Sequence, residues 1–447
     1  MGPLPAFVNI GSRSQGAFLI PATLAELYPE RNHLSRGGYG VVFGLEGVAH
    51  RKDLAVKKFI DPFESVGKAK KCFRELQLIG NLNHKNIVKM KSMYITDINP
   101  GEPFAVYLVT EYAGPDLRMW LQKETDEGQM FTMRDIKRMI SELLRALKYL
   151  NSAKAIHRDI KPDNMAIAFG TGKLTLLDFG FARAFDKGNP LTANPGTSYY
   201  RSIETIDKID RENLDGRPSN RTKYDEKADM WSIGAIFCEM LTDKILFQKE
   251  PPYEYSTKES PVLNAIEVCG PIPECVLKRV NNMHFLSYIR EKVNLIQNDK
   301  TKRGIPPRID FMKYFQQNAR SWHQADIANE RVALLNFIDR TLEWNPRKRL
   351  SVDAALRHPF LAAARVASEE VVAPHTIQDE ADRSLEQWQQ RIREFIHTPR
   401  PNDRVKRKVI AGVRAKKEKS RKEKAKKSRK ESPQNPTRRS PRRNGKK

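Results

Sequence analysis

His157-Arg158-Asp159-Ile160-Lys161-Pro162-Asp163-Asn164 decides how this chain is read. Asp159, Lys161 and Asn164 form a compact polar group between Ile156 and the apolar run Met165-Ala166-Ile167. Such a group offers an acceptor for a hydroxyl proton, a cation for a moving phosphate and an oxygen ligand for Mg²⁺, the set that phosphoryl transfer needs. Downstream, Leu176-Leu177-Asp178-Phe179-Gly180 closes an apolar run on a second acidic residue.

Working outward, hydrophobic periodicity divides the chain. Val41-Val42-Phe43, Leu54-Ala55-Val56 and Val106-Tyr107-Leu108-Val109 are strand-like, whereas Val66, Ala69, Phe73, Leu76 and Ile79 fall at helical spacing. A Gly114-Pro115 break ends this β-rich segment. Ile136, Met139, Ile140, Leu143, Leu144, Leu147 and Leu150 mark an amphipathic helix over 133–152 that delivers the chain to His157. Helical patterns dominate beyond Asp178, apart from a polar, irregular insertion at about 206–223.

Ser35-Arg36-Gly37-Gly38-Tyr39-Gly40-Val41-Val42 is a Gly-rich turn between apolar stretches, where backbone N–H groups can approach an anion closely. Lys57 ends the next strand, and Glu75 sits in the following helix, placed to pair with it.

In this order the four elements resemble eukaryotic protein kinases over roughly residues 30–360. The resemblance implies an α+β, bilobal kinase fold with a β-rich small lobe carrying one main helix and a mainly helical large lobe. Expected boundaries are 1–29 as a lead-in, 30–112 and 113–360 as the two lobes, 361–397 as an extension packing on the kinase domain, and 398–447 as a tail.

Implied roles follow residue by residue. Asp159 accepts the substrate proton, Lys161 stabilises the transferring phosphate, and Asn164 and Asp178 hold Mg²⁺. Lys57 contacts the phosphates of ATP and is oriented by Glu75. Ser35, Gly37, Gly38, Tyr39, Gly40, Val42 and Ala55 belong to the nucleotide site. Thr110 is the gatekeeper, the backbones of Glu111 and Ala113 bond adenine, and Asp116 bonds the ribose. Glu204 is expected to pair with Arg349, and Asp229 to anchor the catalytic loop.

Tyr200-Arg201 is similar to the proline-directed group, where the Arg shapes a pocket favouring Pro after the acceptor Ser or Thr. Protein substrates with Ser/Thr-Pro sites are therefore expected. Pro62-Phe63-Glu64-Ser65, Arg74-Glu75-Leu76 and Ser384-Leu385-Glu386-Gln387-Trp388 resemble MAP kinases. Where those enzymes carry Thr-x-Tyr, this chain has Thr192-Ala193-Asn194, and Ser198 replaces an Arg that holds the phosphotyrosine. The expected switch is an upstream kinase acting on Thr192 alone, its phosphate gathered by Arg74, Arg158 and Arg183, or constitutive activity. A cyclin-dependent-kinase-like enzyme and a weakly active kinase-fold scaffold with a basic binding tail stay open as alternatives.

The net charge of +25 is uneven: residues 401–447 hold 21 Lys/Arg against 4 Asp/Glu, a net +17, leaving +8 for the first 400 residues. Dense in charge and poor in apolar residues, the tail is expected to be disordered. It reads as a nuclear-import signal, as a contact for nucleic acid or acidic partners, or as a solvated appendage. Nuclear and cytoplasmic localisation is expected. Cys72, Cys238, Cys269 and Cys275 show no metal spacing. No window reaches the roughly 18 apolar residues of a membrane span: the longest run, Met230 to Leu241, is broken by Ser232, Gly234 and Glu239, so no membrane partner is expected. Glu369, Glu370, Asp379, Glu380 and Asp382 are either contacts for partner peptides or a solvated acidic linker.

Overall fold

A computed structural model describes residues 7–11, 17–47, 52–96, 104–122, 131–184, 199–206, 225–248, 260–278, 283–298 and 308–398. The described residues through Ile392 form one compact body, and a second begins at Arg393 and is described only to Thr398. The Thr192 segment, residues 207–223 of the insertion and the basic tail from 399 lie outside the described residues.

Five antiparallel strands, β1 (Glu30–Gly37), β2 (Gly40–Glu46), β3 (Lys52–Phe59), β4 (Met90–Thr96) and β5 (Ala105–Glu111), form a sheet in the order β1-β2-β3-β5-β4. Alternation along the strands sorts side chains between the two faces. Val41, Phe43, Leu45, Leu54, Val56, Tyr107 and Val109 build a core on one face. Phe18 and Ile20 complete that core, so residues that read as a lead-in seal the sheet, with a short hairpin (Phe7–Asn9 with Leu19–Pro21) and the helix Ala22–Leu27 around them. Val42, Ala55, Lys57 and Thr110 share the opposite face, because Val42 lies opposite Lys57 and Ala55 opposite Thr110 in the register.

Helix α1 (Val66–Asn81) opens on Ser65, whose hydroxyl accepts from the Lys68 N–H, and buries Ala69, Phe73, Glu75, Leu76 and Ile79. Helix α2 (Met133–Ser152) starts with a reciprocal cap: the Asp135 N–H donates to Thr132 Oγ1 and the Thr132 N–H to Asp135 Oδ2, each at 3.1 Å. Its apolar stripe is fully buried, and Glu142 accepts from the Leu174 N–H at 2.7 Å, fixing the hairpin Met165–Ile167/Leu174–Leu176 to the helix.

Helix α3 (Lys227–Thr242) is buried from Ala228 through Thr242, as a helix that is apolar all round should be. It ends on Asp243 in the left-handed region at φ 55°, whose N–H caps the Glu239 carbonyl. Gly234 allows close packing: a Cβ there would stand 2.6 Å from Thr341 Oγ1. After the 3₁₀ turn Pro359–Ala364, the extension runs to helix α4 (Leu385–His397), which buries Trp388 and Ile392, with the Trp388 ring 5.3 Å from Phe73. Among the described residues no helix is long and apolar enough to cross a membrane.

Candidate active site

The Lys57 ammonium is the hub. Its Nζ donates to Glu75 Oε1 at 2.6 Å and to Asp178 Oδ1 at 3.1 Å, joining β3, α1 and the loop after the hairpin. Burial opposes the lysine's charge, but Asp178 and Glu75 outweigh it and raise its pKa. Burial in turn raises the pKa of Glu75, with Lys57 opposing it. At Asp178 burial acts upward, yet Lys57 and the Gly180 N–H prevail and hold the carboxyl below its ordinary range. The Asp178 side chain keeps 41% exposure. Gly40 makes the close approach possible: a Cβ there would meet Lys57 Cε at 2.8 Å.

Asp159 is nearly buried and framed by cations and an amide. Lys161 Nζ stands 3.0 Å from Oδ2, Arg201 Nη2 3.8 Å from Oδ1, and Asn164 Nδ2 donates to Oδ2 at 2.9 Å and to the Asp159 carbonyl at 2.7 Å. The loop is held from two sides. Asp229, on α3, accepts the His157 N–H at 3.1 Å and the Arg158 N–H at 2.9 Å. His157 Nε2 bonds the Leu177 carbonyl at 2.9 Å, and its ring meets Phe179 edge-on, so the loop and the Asp178 motif are fixed to each other. Both motifs carry a non-glycine residue in the left-handed region, Arg158 at φ 70° and Asp178 at φ 47°. Such conformations persist where surrounding contacts over-determine them.

The other residues expected at the nucleotide lie on the first two strands and on the connection after β5. Ser35 lies opposite Val42, Gly37 opposite Gly40, and Gly38 and Tyr39 form the turn between β1 and β2. Glu111 ends β5 and Ala113 follows in the connection to Asp116. Gly114 adopts φ 119° against the Ile167 carbonyl, 2.3 Å from where a Cβ would sit, so this turn demands glycine. Asp116 accepts from the Met119 N–H at 2.8 Å, and burial raises its pKa. Tyr39 turns inward: Lys71 Nζ lies 3.0 Å from its ring centroid and 3.3 Å from that of Phe181, the two rings meeting edge to face.

The substrate side is pinned through α3. Ser232 Oγ donates to the Tyr200 carbonyl at 2.6 Å, and the Tyr200 hydroxyl donates to Glu239 Oε2 at 2.7 Å while Arg118 bonds both Tyr200 and Glu239. Ser232 reads in the sequence as part of the segment from Asp229 that anchors the loop, and Glu239 only as a break in an apolar run. A polar residue inside an otherwise buried helix is the signal for the task Glu239 has. Arg349, fully buried, donates to Glu204 Oε1 at 2.6 Å, as the sequence leads one to expect.

One expected gathering is different. Arg74 and Arg183 do converge, but on a carboxylate of the extension: Arg74 bonds Asp379 through Nε at 2.6 Å and Nη2 at 2.5 Å, and Arg183 Nε through 3.2 Å. The other four acids singled out in the sequence are also paired, Glu369 with Lys85 and Arg145, Glu370 with Lys148 and Arg365, Glu380 with Arg383 and Arg391, and Asp382 with Lys70. None of the five stands unpaired: Asp379, Glu369, Glu370 and Asp382 meet basic side chains of the kinase domain, and Glu380 meets two of the extension itself.

Among the described residues no cluster of three or more His, Cys, Asp and Glu could hold a metal alone. The amide of Asn164 and the carboxylate of Asp178 are hard oxygen donors of the kind that hold Mg²⁺ together with substrate phosphates. Lys57 paired with Glu75 and Asp178, the framed Asp159 and the Gly-rich turn against Lys57 are the arrangement of a phosphotransferase of the protein kinase type.

Comparison with known proteins agrees. The protein kinase domain matches residues 28–361. The mitogen-activated protein kinase pmk-3 of Caenorhabditis elegans is 31% identical over 369 residues, covering 80% of this chain and 70% of that protein. The mitogen-activated protein kinases HOG1B of Wallemia ichthyophaga and hog-1 of Neurospora crassa are each 28% identical, covering 84% and 81% of this chain and 89% and 87% of theirs. The chain belongs to the eukaryotic protein kinase family and is a MAP-kinase-like serine/threonine kinase. Protein kinases in general use ATP with Mg²⁺, and MAP kinases act on protein substrates under upstream kinases.

Proposed function

We propose that this chain transfers the γ-phosphate of ATP to Ser or Thr followed by Pro in protein substrates. The observation that carries the reading is Lys57 bridging Glu75 and Asp178 beside a framed Asp159: the lysine–glutamate pair and the metal-side aspartate are both in place, the condition for kinase activity. Asp159 takes the hydroxyl proton as the Ser or Thr oxygen attacks the γ-phosphorus, the bond to the β-phosphate oxygen breaks and ADP leaves, while Lys161 holds the moving phosphate. Lys57 would hold the α/β-phosphates, with the Gly37–Gly40 turn close beside it. Asn164 and Asp178 would hold Mg²⁺, which supplies neutralisation of charge developing on the phosphates. Most of the rate comes from such positioning and preorganised charge.

Preference for Pro is supported by the pinned Tyr200-Arg201 segment beside Asp159. A peptide pair differing only in Ser-Pro against Ser-Ala tests it with the full-length protein. At least tenfold higher kcat/KM for Ser-Pro, about 1.4 kcal/mol, is expected; equal values overturn the proline-directed reading, and no signal above that of Asp159→Asn overturns the enzyme.

Regulation through an upstream kinase acting on Thr192, or activity without it, belongs to the same proposal. So does a nuclear and cytoplasmic distribution directed by the basic tail through an import receptor, with nucleic acid as its alternative ligand; clusters such as Lys406-Arg407-Lys408 support it. A reporter carrying residues 398–447 that stays evenly cytosolic overturns the import reading.

A further inference from the structure

Arg74 directly precedes Glu75 on α1, and Arg183 follows the Asp178 motif. These are two of the three arginines that the sequence assigns to a phosphate on Thr192. Asp379 already holds both, with three N–H groups on one carboxylate that is only 11% exposed. The arrangement is bidentate on the Arg74 side, the geometry in which guanidinium–carboxylate bonds are strongest.

Asp379 is also delivered to this place by the chain. Before it, the Ala373 N–H donates to Ser152 Oγ at 2.7 Å and the Ile377 N–H to the Ala153 carbonyl at 2.8 Å, at the end of α2. Beyond it, Asp382 bonds Lys70 on α1, and Trp388 is buried against Phe73 on the same helix. An anion fixed at both ends needs no modification to arrive. In kinases switched by phosphorylation, a phosphate meets such arginines and sets the helix bearing the glutamate.

We propose that Asp379 is a positioning residue that stands in for an activating phosphate. It ties α1 to the segment after Asp178 and so keeps Glu75 and Asp178 on Lys57 in the unphosphorylated protein. A phosphate on the activation segment would have to compete with a carboxylate already in place, so it adds little. The proposal rests on the kinase reading above and deepens its regulation.

The test uses full-length protein treated with phosphatase and shown phosphate-free by intact mass. With a Ser-Pro peptide, the wild type is expected to turn over. Asp379→Asn lowers kcat about tenfold or more with peptide KM nearly unchanged, as loss of positioning should, and Asp379→Glu recovers most of it. A second readout is independent of activity: inorganic phosphate raises the melting temperature of Asp379→Ala, by filling the vacated arginine pair, and leaves the wild type unmoved. Asp379→Asn with unchanged kcat, or equal phosphate stabilisation of both proteins, overturns the proposal. So does a phosphate-free wild type that matches Asp159→Asn while protein purified from its native cell with its phosphates retained is active. If no preparation exceeds Asp159→Asn, the kinase reading itself has failed, and the phosphate-binding contrast still decides whether Asp379 fills an anion site.

Discussion

Arg74 and Glu75 are neighbours on one turn of α1, yet they serve two constellations. Glu75 reaches Lys57 and, through it, Asp178, at the site proposed for the chemistry. Arg74 reaches Asp379 of the extension, with Arg183 beside it. Successive helix residues point about 100° apart, so one rigid helix carries a catalytic pairing on one side and a structural pairing on the other. The difference lies in where the partners come from: the Lys57 side is built within the kinase domain, the other side largely by residues 369–392. Moving the helix from either side moves both.

Breaking the Lys57 side at its reacting group has the largest effect. Asp159→Asn removes the proton acceptor but keeps its shape, and kcat is expected to fall on the order of 10³-fold, about 4 kcal/mol; steady-state phosphotransfer measures it. Breaking the opposite side by Trp388→Ala empties a site with no exposure against Phe73. A loss of about 3 kcal/mol in unfolding free energy follows, read from denaturant midpoints.

The Lys57 side was legible because its parts are short motifs at fixed spacing. The Gly-rich turn, Lys57, Glu75, the His157–Asn164 loop and Asp178 each announce themselves, and period-2 and period-3.6 patterns place them on strand, helix or loop. The pairing of Arg74 with Asp379 spans 305 residues, and that of Lys70 with Asp382 spans 312. An ion pair at that range has no spacing to recognise, so the arginines read as waiting for a phosphate and the acids as contacts for partner peptides or as linker. The core role of Phe18 and Ile20 was hidden for a similar reason: a short apolar stretch beside Pro21 shows no period long enough to assign. His157 read as a motif letter, because the bond of its ring to the Leu177 carbonyl exists only once the two loops meet.

A smaller effect separates orientation from charge. Glu75→Gln leaves Lys57 with Asp178 alone, and kcat should fall about 10²-fold with nucleotide affinity less affected, since misplacement of the phosphates costs rate first. Nucleotide titration of the variant checks the split.

The smallest effect concerns Lys71, whose pKa burial draws down to about 7, although the nearby carboxylates Asp178 and Glu75 oppose the shift. The unfolded chain keeps this proton to about pH 10.5. Between these values the unfolded state binds more protons, so this group makes the fold more stable as pH rises from about 7 toward 10. Melting temperatures of the wild type relative to Lys71→Met should climb over that range; a flat difference means that the amine stays charged beside its two rings.

The measurement that reaches the two-sided helix most directly is a double-mutant cycle on kcat between Glu75→Gln and Asp379→Asn, in phosphate-free full-length protein. If Asp379 acts by placing Glu75, the double variant is about as slow as Glu75→Gln alone, a strong departure from additivity. If the two losses multiply, Asp379 does not act through α1, and the account of the extension as a substitute for an activating phosphate is contradicted.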